Sequence, residues 1–198
     1  MSTENYPATS YSKQYYDMFI SGDQKRFDAQ KKLIEGELKP AYAKASEEDR
    51  LAGISLYSKK RDYYSMLTQN AQFNKMIQDL LFEKKVAEDN ARKSALARGA
   101  SIEEANRAAE NAGKSVQSRI DGMLFAHQTE INQAVAQSKA AYTKASDTST
   151  SAHSQYMSAS INLDSALFSQ NMLASDINKN TGFYNFLTQV EQRKEWMG

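Results

Sequence analysis

Apolar side chains recur three and four positions apart over most of this chain, the mark of helices that bury one stripe. The longest such stretch runs from Ser46 to Asp176, and it is broken at one clear point, Ala97-Arg98-Gly99-Ala100-Ser101. No proline follows Pro40. The pattern predicts two very long helices folded back at 98–101.

The first of these opens at Ser46-Glu47-Glu48-Asp49, a sequence with the form of a capping box. Its apolar stripe reads Leu51, Ile54 and Tyr57, then Tyr63 or Tyr64, Met66 or Leu67, and Phe73. Phe73, Leu80 and Ala87 are seven apart, with Ile77 and Lys84 between them, which is a heptad seam. Gly99 suits the left-handed position after a helix end, and Ser101 with Glu104 forms a second capping box. A link this short makes the two helices antiparallel neighbours.

The second helix begins with small residues, Ala105, Ala108, Ala109 and Ala112. Val116, Ile120, Met123 or Leu124, His127, Ile131 and Tyr142 continue its stripe. The Ser/Thr-rich tract 146–154 lowers helix propensity, so the helix either turns there or is held straight by neighbours. Periodicity resumes at Tyr156 and Leu163, and Asp176 to Gly182 reads as a loop.

The remaining segments are expected to be attachments. Residues 1–22 read as an N-terminal arm whose aromatic cluster, Tyr11, Tyr15, Tyr16 and Phe19, ends near Ser21-Gly22. Residues 23–40 read as a short helix that starts at Asp23, carries Phe27, Ile34 and Leu38 on one stripe, and stops at Pro40. Residues 183–198 form an aromatic segment with Phe183, Tyr184, Phe186 and Trp196. The expected fold is all-α: an elongated antiparallel long-helix hairpin, a coiled-coil-like bundle with short N- and C-terminal helices, in a single structural unit.

Composition fits that picture. Of the 198 residues, 40% are hydrophobic, which is little for a globule but enough for a narrow seam. Net charge is +1, so the chain as a whole has no basic or acidic excess to steer it to nucleic acid or to cationic partners. Cysteine is absent, which excludes disulfides and thiolate metal sites. No signal sequence and no membrane-spanning run is recognisable, so a soluble protein is expected, either associated with a virion or exported without a cleaved signal.

Candidate chemistry is sparse. His127 and His153 are the two histidines, and neither has ligands at a metal-binding spacing in the sequence. No Gly-x-Ser-x-Gly, phosphate loop or dinucleotide fingerprint is present. The expectation is a protein with no enzymatic activity, no cofactor and no small-molecule substrate. Three basic clusters, Lys59-Lys60-Arg61, Lys84-Lys85 and Arg92-Lys93, leave room for a weak nucleic-acid or membrane contact. Tyr63 and Tyr64 beside the first of them could stack on single-stranded nucleic acid.

The most suggestive stretch lies between Leu124 and Val190. Its only Lys, Arg, Asp and Glu residues are Glu130, Lys139, Lys144, Asp147, Asp164, Asp176 and Lys179. A helix with so few charges can be packed against others without stranding any of them. In this style the chain resembles bacteriophage internal virion or ejection proteins and, more loosely, tip and translocator proteins of bacterial secretion machines. Those families also favour long Ala/Gln/Ser-rich helices with little or no cysteine. The reading is a structural protein that assembles with copies of itself or with other structural proteins, the expected contacts being Tyr11, Tyr15, Tyr16, Phe19, Phe73, Ile77, Leu80, Phe183, Tyr184, Phe186 and Trp196. The alternatives are a coiled-coil adaptor or chaperone, a secretion-machine tip or translocator-type protein, and a nucleic-acid or membrane-surface module.

Overall fold

The computed structural model describes the backbone of residues 10–196 and the side chains of residues 10–193. Of the N-terminal arm expected over residues 1–22, residues 1–9 lie outside the described residues. Every described element is helical, and two long helices pack against each other as a hairpin. The first arm comprises α1 (Tyr11–Tyr15), α2 (Ser21–Leu33) and α3 (Lys39–Ala97), and the second comprises α4 (Ile102–Met123) and α5 (Thr129–Trp196). Single π-helical turns at Tyr16–Ile20, Ile34–Leu38 and Leu124–Gln128 join consecutive helices within each arm.

The hairpin turn falls at Gly99, as expected. Gly99 has φ +84°, and the amides of Ala100 and Gly99 bond back to the carbonyls of Ala95 (3.1 Å) and Leu96 (3.0 Å). That double bond pattern is the Schellman ending, and it needs the left-handed residue that glycine supplies cheaply. Ser101 then caps α4. Its hydroxyl accepts from the Glu104 amide at 3.3 Å, and the Glu104 carboxylate accepts from the Ser101 amide at 2.9 Å.

Contacts divide the chain into two compact units, one drawn from residues 1–50 and 151–198 and the other formed by Leu51–Thr150. In the second unit the seam is densest around Leu80, Val116 and Ile120, with Ile77, Met123 and Leu124 against them. Each such side chain, fully buried, contributes about 1.5–3 kcal/mol. Nearer the turn the seam narrows to Ala95, Ala105 and Ala109, all buried, where each methyl adds only about 1 kcal/mol. Gly113 is buried among them, and a Cβ there would run into the Glu88 carboxylate. Glu88 in turn lies 3.7 Å from Lys84, whose ammonium donates to Gln117 Oε1 at 2.7 Å. The expected heptad through Phe73, Ile77, Leu80, Lys84 and Ala87 is therefore present. Leu51, Ile54 and Tyr57 are not part of it: all three are exposed, and the same heptad phase carried backwards turns Ala52 and Leu56 inward instead.

In the unit built from 1–50 and 151–198, both chain segments are helical well beyond the ends expected of them. The first passes through Ser21-Gly22, Pro40 and Ser46 without a break, and Ser46 caps nothing. Pro40 is tolerated because the π turn comes just before it. There the Lys39 amide reaches back five residues to the Ile34 carbonyl. The widened turn relieves the clash that a proline ring makes with the carbonyl four residues earlier. The tract 146–154, which spans the boundary of the two units, stays helical too. Thr148 and Thr150 donate their hydroxyls to the carbonyls of Lys144 (2.9 Å) and Ser146 (3.0 Å), four residues back in the same helix. Asp176 to Gly182 is helix rather than loop, and Asn180 there accepts a hydrogen bond from Tyr15.

The π turns have one common effect on the seam. Buried Ser12 and Ile20 are eight apart, and Ile34, Leu38 and Tyr42 step inward by four and four. Past Leu124 the inward positions resume at Ile131, with Glu130 left in solvent. Each π turn inserts one residue and shifts the heptad phase by one, which keeps the stripe facing its partner. This is why His127, expected on the seam, is exposed, with its ring 6.4 Å from that of Phe73.

Two outcomes follow for stability. Gly99→Ala forces a left-handed alanine and should cost at least about 1 kcal/mol in urea denaturation. Gly53→Ala and Gly122→Ala, in helix with nothing within 4 Å of the added Cβ, should each add about 0.5–1 kcal/mol. The capping box supplies a pH dependence. Hydrogen bonds from the Ser101 amide and hydroxyl hold the Glu104 carboxyl below its ordinary value of 4.5. A depressed carboxyl stabilises the fold above its unfolded pKa and loses that effect as pH falls through its folded pKa. The stability gap between wild type and Glu104→Gln should therefore be full at pH 7 and close below pH 4.5.

Candidate interaction surface

The two aromatic segments of the sequence meet. Residues equally far along the chain from Gly99 face each other in a hairpin, and this brings Tyr11–Ile20 against the 180–191 stretch of α5. The Tyr15 ring lies 5.0 Å from that of Phe183, edge-on, and 4.8 Å from that of Phe19. Tyr16 lies 5.6 Å from Tyr184. Such pairs are worth about 0.5–1.5 kcal/mol beyond the area they bury. Polar bonds fix the register: Tyr15 donates its hydroxyl to Asn180 Oδ1 at 2.9 Å. Buried Ser12 donates its amide (3.1 Å) and hydroxyl (2.6 Å) to the Glu191 carboxylate.

This packing consumes part of the expected contact set. Tyr15 and Tyr184 are half-buried within the chain, while Tyr11, Tyr16, Phe19, Phe183 and Phe186 remain exposed. Met18, within the same Tyr11–Ile20 cluster, is 71% exposed and lines a shallow groove with Tyr11, Phe19 and Leu187. The Trp196 side chain lies outside the described residues. Phe73, Ile77 and Leu80 lie on the seam of the Leu51–Thr150 unit, where Phe73 and Leu80 are buried and Ile77 is half-buried.

A titratable cluster sits in the same unit. His153 Nδ1 lies 3.2 Å from Asp49, a carboxylate 104 positions away in the sequence. The Tyr42 and Tyr156 hydroxyls are 3.4 Å apart, and that hydrogen bond, with nearby negative charge, pushes the Tyr156 phenol up from its ordinary value. The neighbouring groove, about 330 Å³ along Leu38, Ala41, Ser158 and Ala159, is a dip left by small side chains. Among the described residues no group of three or more His, Asp or Glu is placed to hold a metal ion, and no helix is long and apolar enough to cross a membrane.

The basic clusters are partly neutralised. Lys59 and Arg61 lie 3.8 and 4.0 Å from Asp62, and Lys84 is tied to Glu88 and Gln117. Tyr63 stacks on Tyr142 (5.8 Å, 9° between planes) inside the Leu51–Thr150 unit, so only Tyr64 of that pair faces outward. Comparison with protein-family models, curated proteins and solved structures finds no match to this chain.

Removing the Tyr15 hydroxyl tests the register contact. Tyr15→Phe should cost about 0.5–1.5 kcal/mol, the usual net value of one hydrogen bond. The loss should show as faster amide exchange over 176–191, with exchange near the Gly99 turn unchanged.

Proposed function

We propose that the chain is a non-enzymatic helical structural protein that works by packing beside other chains in a multi-subunit particle. One observation carries this reading: the helix positions turned away from the hairpin seam hold large apolar side chains. Phe82 is 70% exposed, Phe125 89% and Phe168 68%, and Leu81, Val86, Ile102, Ile161 and Met172 are exposed as well. In a free-standing two-helix hairpin those positions are ordinarily polar, because they meet only water. Apolar groups there suit helices that have neighbours on more than one side.

The scarcity of charge between Leu124 and Val190 supports the same reading, since close packing there strands few ions. For the particle we propose a bacteriophage virion, with this chain as a component of internal, ejection or portal- and tail-proximal type. That setting rests on the long, cysteine-free, Ala/Gln/Ser-rich helices alone. The ion pairs at Lys59, Arg61 and Lys84 give less support to a nucleic-acid or membrane-surface module.

Size-exclusion chromatography with light scattering, and circular dichroism on the same peak, tests the proposal. A defined, strongly helical species well above dimer mass is the expected result. A helical monomer or dimer, unchanged up to about 100 µM, would end the self-assembly reading and favour an adaptor that holds one partner.

A further inference from the structure

The outer face of α5 carries a second stripe that is complementary to itself. At about 100° per residue, Met157, Ile161, Phe168 and Met172 fall within about 60° of one another around the helix. All four are exposed. The seam positions of this stretch, such as Leu163, Gln170 and Ile177, lie on roughly the opposite side. Gly182 and Phe186 extend the same stripe towards the C-terminal end, also exposed.

Between Ser151 and Val190 the only Lys, Arg, Asp and Glu residues are Asp164, Asp176 and Lys179. Two of them, Asp164 and Lys179, sit on this stripe with opposite signs, equally far on either side of the Asn171-Met172 step. An antiparallel copy of the helix, turned about a two-fold axis at that step, sets Asp164 against Lys179 twice. The same register sets large against small at two positions, where Phe168 faces Ser175 and Ile161 faces Gly182, and it brings the apolar Met157 and Phe186 together.

We propose that two copies of this chain pair antiparallel through the outer stripe of α5, with the two-fold axis beside Met172 and Asp164 of each copy facing Lys179 of the other. The contact rests on the assembly reading above and names one of its interfaces. Three features argue for a second copy as the occupant. A two-fold interface must be self-complementary, and this stripe is so in charge and in side-chain size at one common register. Its few charges leave no like-signed pair facing across the axis. Lys179 also reaches Asp176 of its own helix at 3.6 Å, but that contact is exposed and exposed pairs hold weakly, so the ammonium is free to turn outward.

Charge exchange tests the register directly. Self-association of wild type, Asp164→Lys, Lys179→Asp and the double variant is followed by sedimentation, with helicity checked for each. Either single change places two like-charged pairs in the interface and should weaken association by about tenfold or more. The double change restores both pairs and should return it to near wild type. Because the chain has no cysteine, Met172→Cys gives a second readout. Mild oxidation should link it to itself as a dimer, whereas Ser169→Cys, exposed but off the stripe, should not link.

If wild type assembles but ignores both charge changes and Met172→Cys stays unlinked, the proposed contact is wrong while the assembly reading stands. If wild type stops at a dimer that obeys the exchange, the contact is right and the larger particle falls. A folded wild type that stays monomeric at about 100 µM, and does not link through Met172→Cys, overturns the contact outright.

Discussion

Everything in this structure depends on keeping one narrow apolar stripe turned inward over very long helices. An α-helix has 3.6 residues per turn, and a heptad seam repeats every 3.5, so a stripe drifts unless the helices supercoil or the phase is reset. Here the phase is reset at Tyr16–Ile20, Ile34–Leu38 and Leu124–Gln128, each a π turn that adds one residue. Without those insertions Phe19 would take the place of Ile20, and Glu130 that of Ile131. The first exchange would leave Ile20 in water, and the second would bring a carboxylate to the seam. Pro40 belongs to the same device, since it follows the second π turn at the point where its ring can be accommodated.

The seam so maintained is thin. Leu80, Val116 and Ile120 form a compact apolar cluster, but alanines and a glycine fill the stretch towards Gly99, and tyrosines, serines and asparagine carry much of the rest. Register comes from polar contacts that tolerate little sliding: Lys84 with Gln117, Tyr15 with Asn180, and Ser12 with Glu191. Each is worth only about 0.5–3 kcal/mol, so they set alignment more than they hold the arms together. Meanwhile large side chains such as Phe82, Phe125 and Phe168 stand in water. A fold with its apolar residues divided in this way, some inward and many outward, suits a chain completed by neighbours.

The parts legible in the sequence are the ones set by local chemistry. Gly99, Ser101 and Glu104 announce the turn because a left-handed residue and a capping box act over four or five positions. The heptad through Phe73, Leu80 and Ala87 is legible for the same reason. Pro40, Ser46 and the stretch 176–182 read as breaks, and 146–154 as a tract that either turns or is held straight, because local propensity disfavours helix there; the π turn before Pro40 and packing against the opposite arm override it. The π turns were hidden because a one-residue phase slip looks like ordinary noise in an apolar pattern. A signal for the aromatic pairing did exist. Counting equal distances from Gly99 puts Tyr15 by Phe183 and Tyr42 by Tyr156, and within a turn of helix it also brings Tyr16 near Tyr184 and Asp49 near His153.

In the proposed assembly, lateral association stabilises this hairpin. Thermal unfolding followed by circular dichroism across a hundredfold range of protein concentration tests it most directly, because association that favours the folded state makes the midpoint depend on concentration. The midpoint should rise steadily with concentration. A midpoint that stays constant over that range, with full helicity at the lowest concentration, would contradict it.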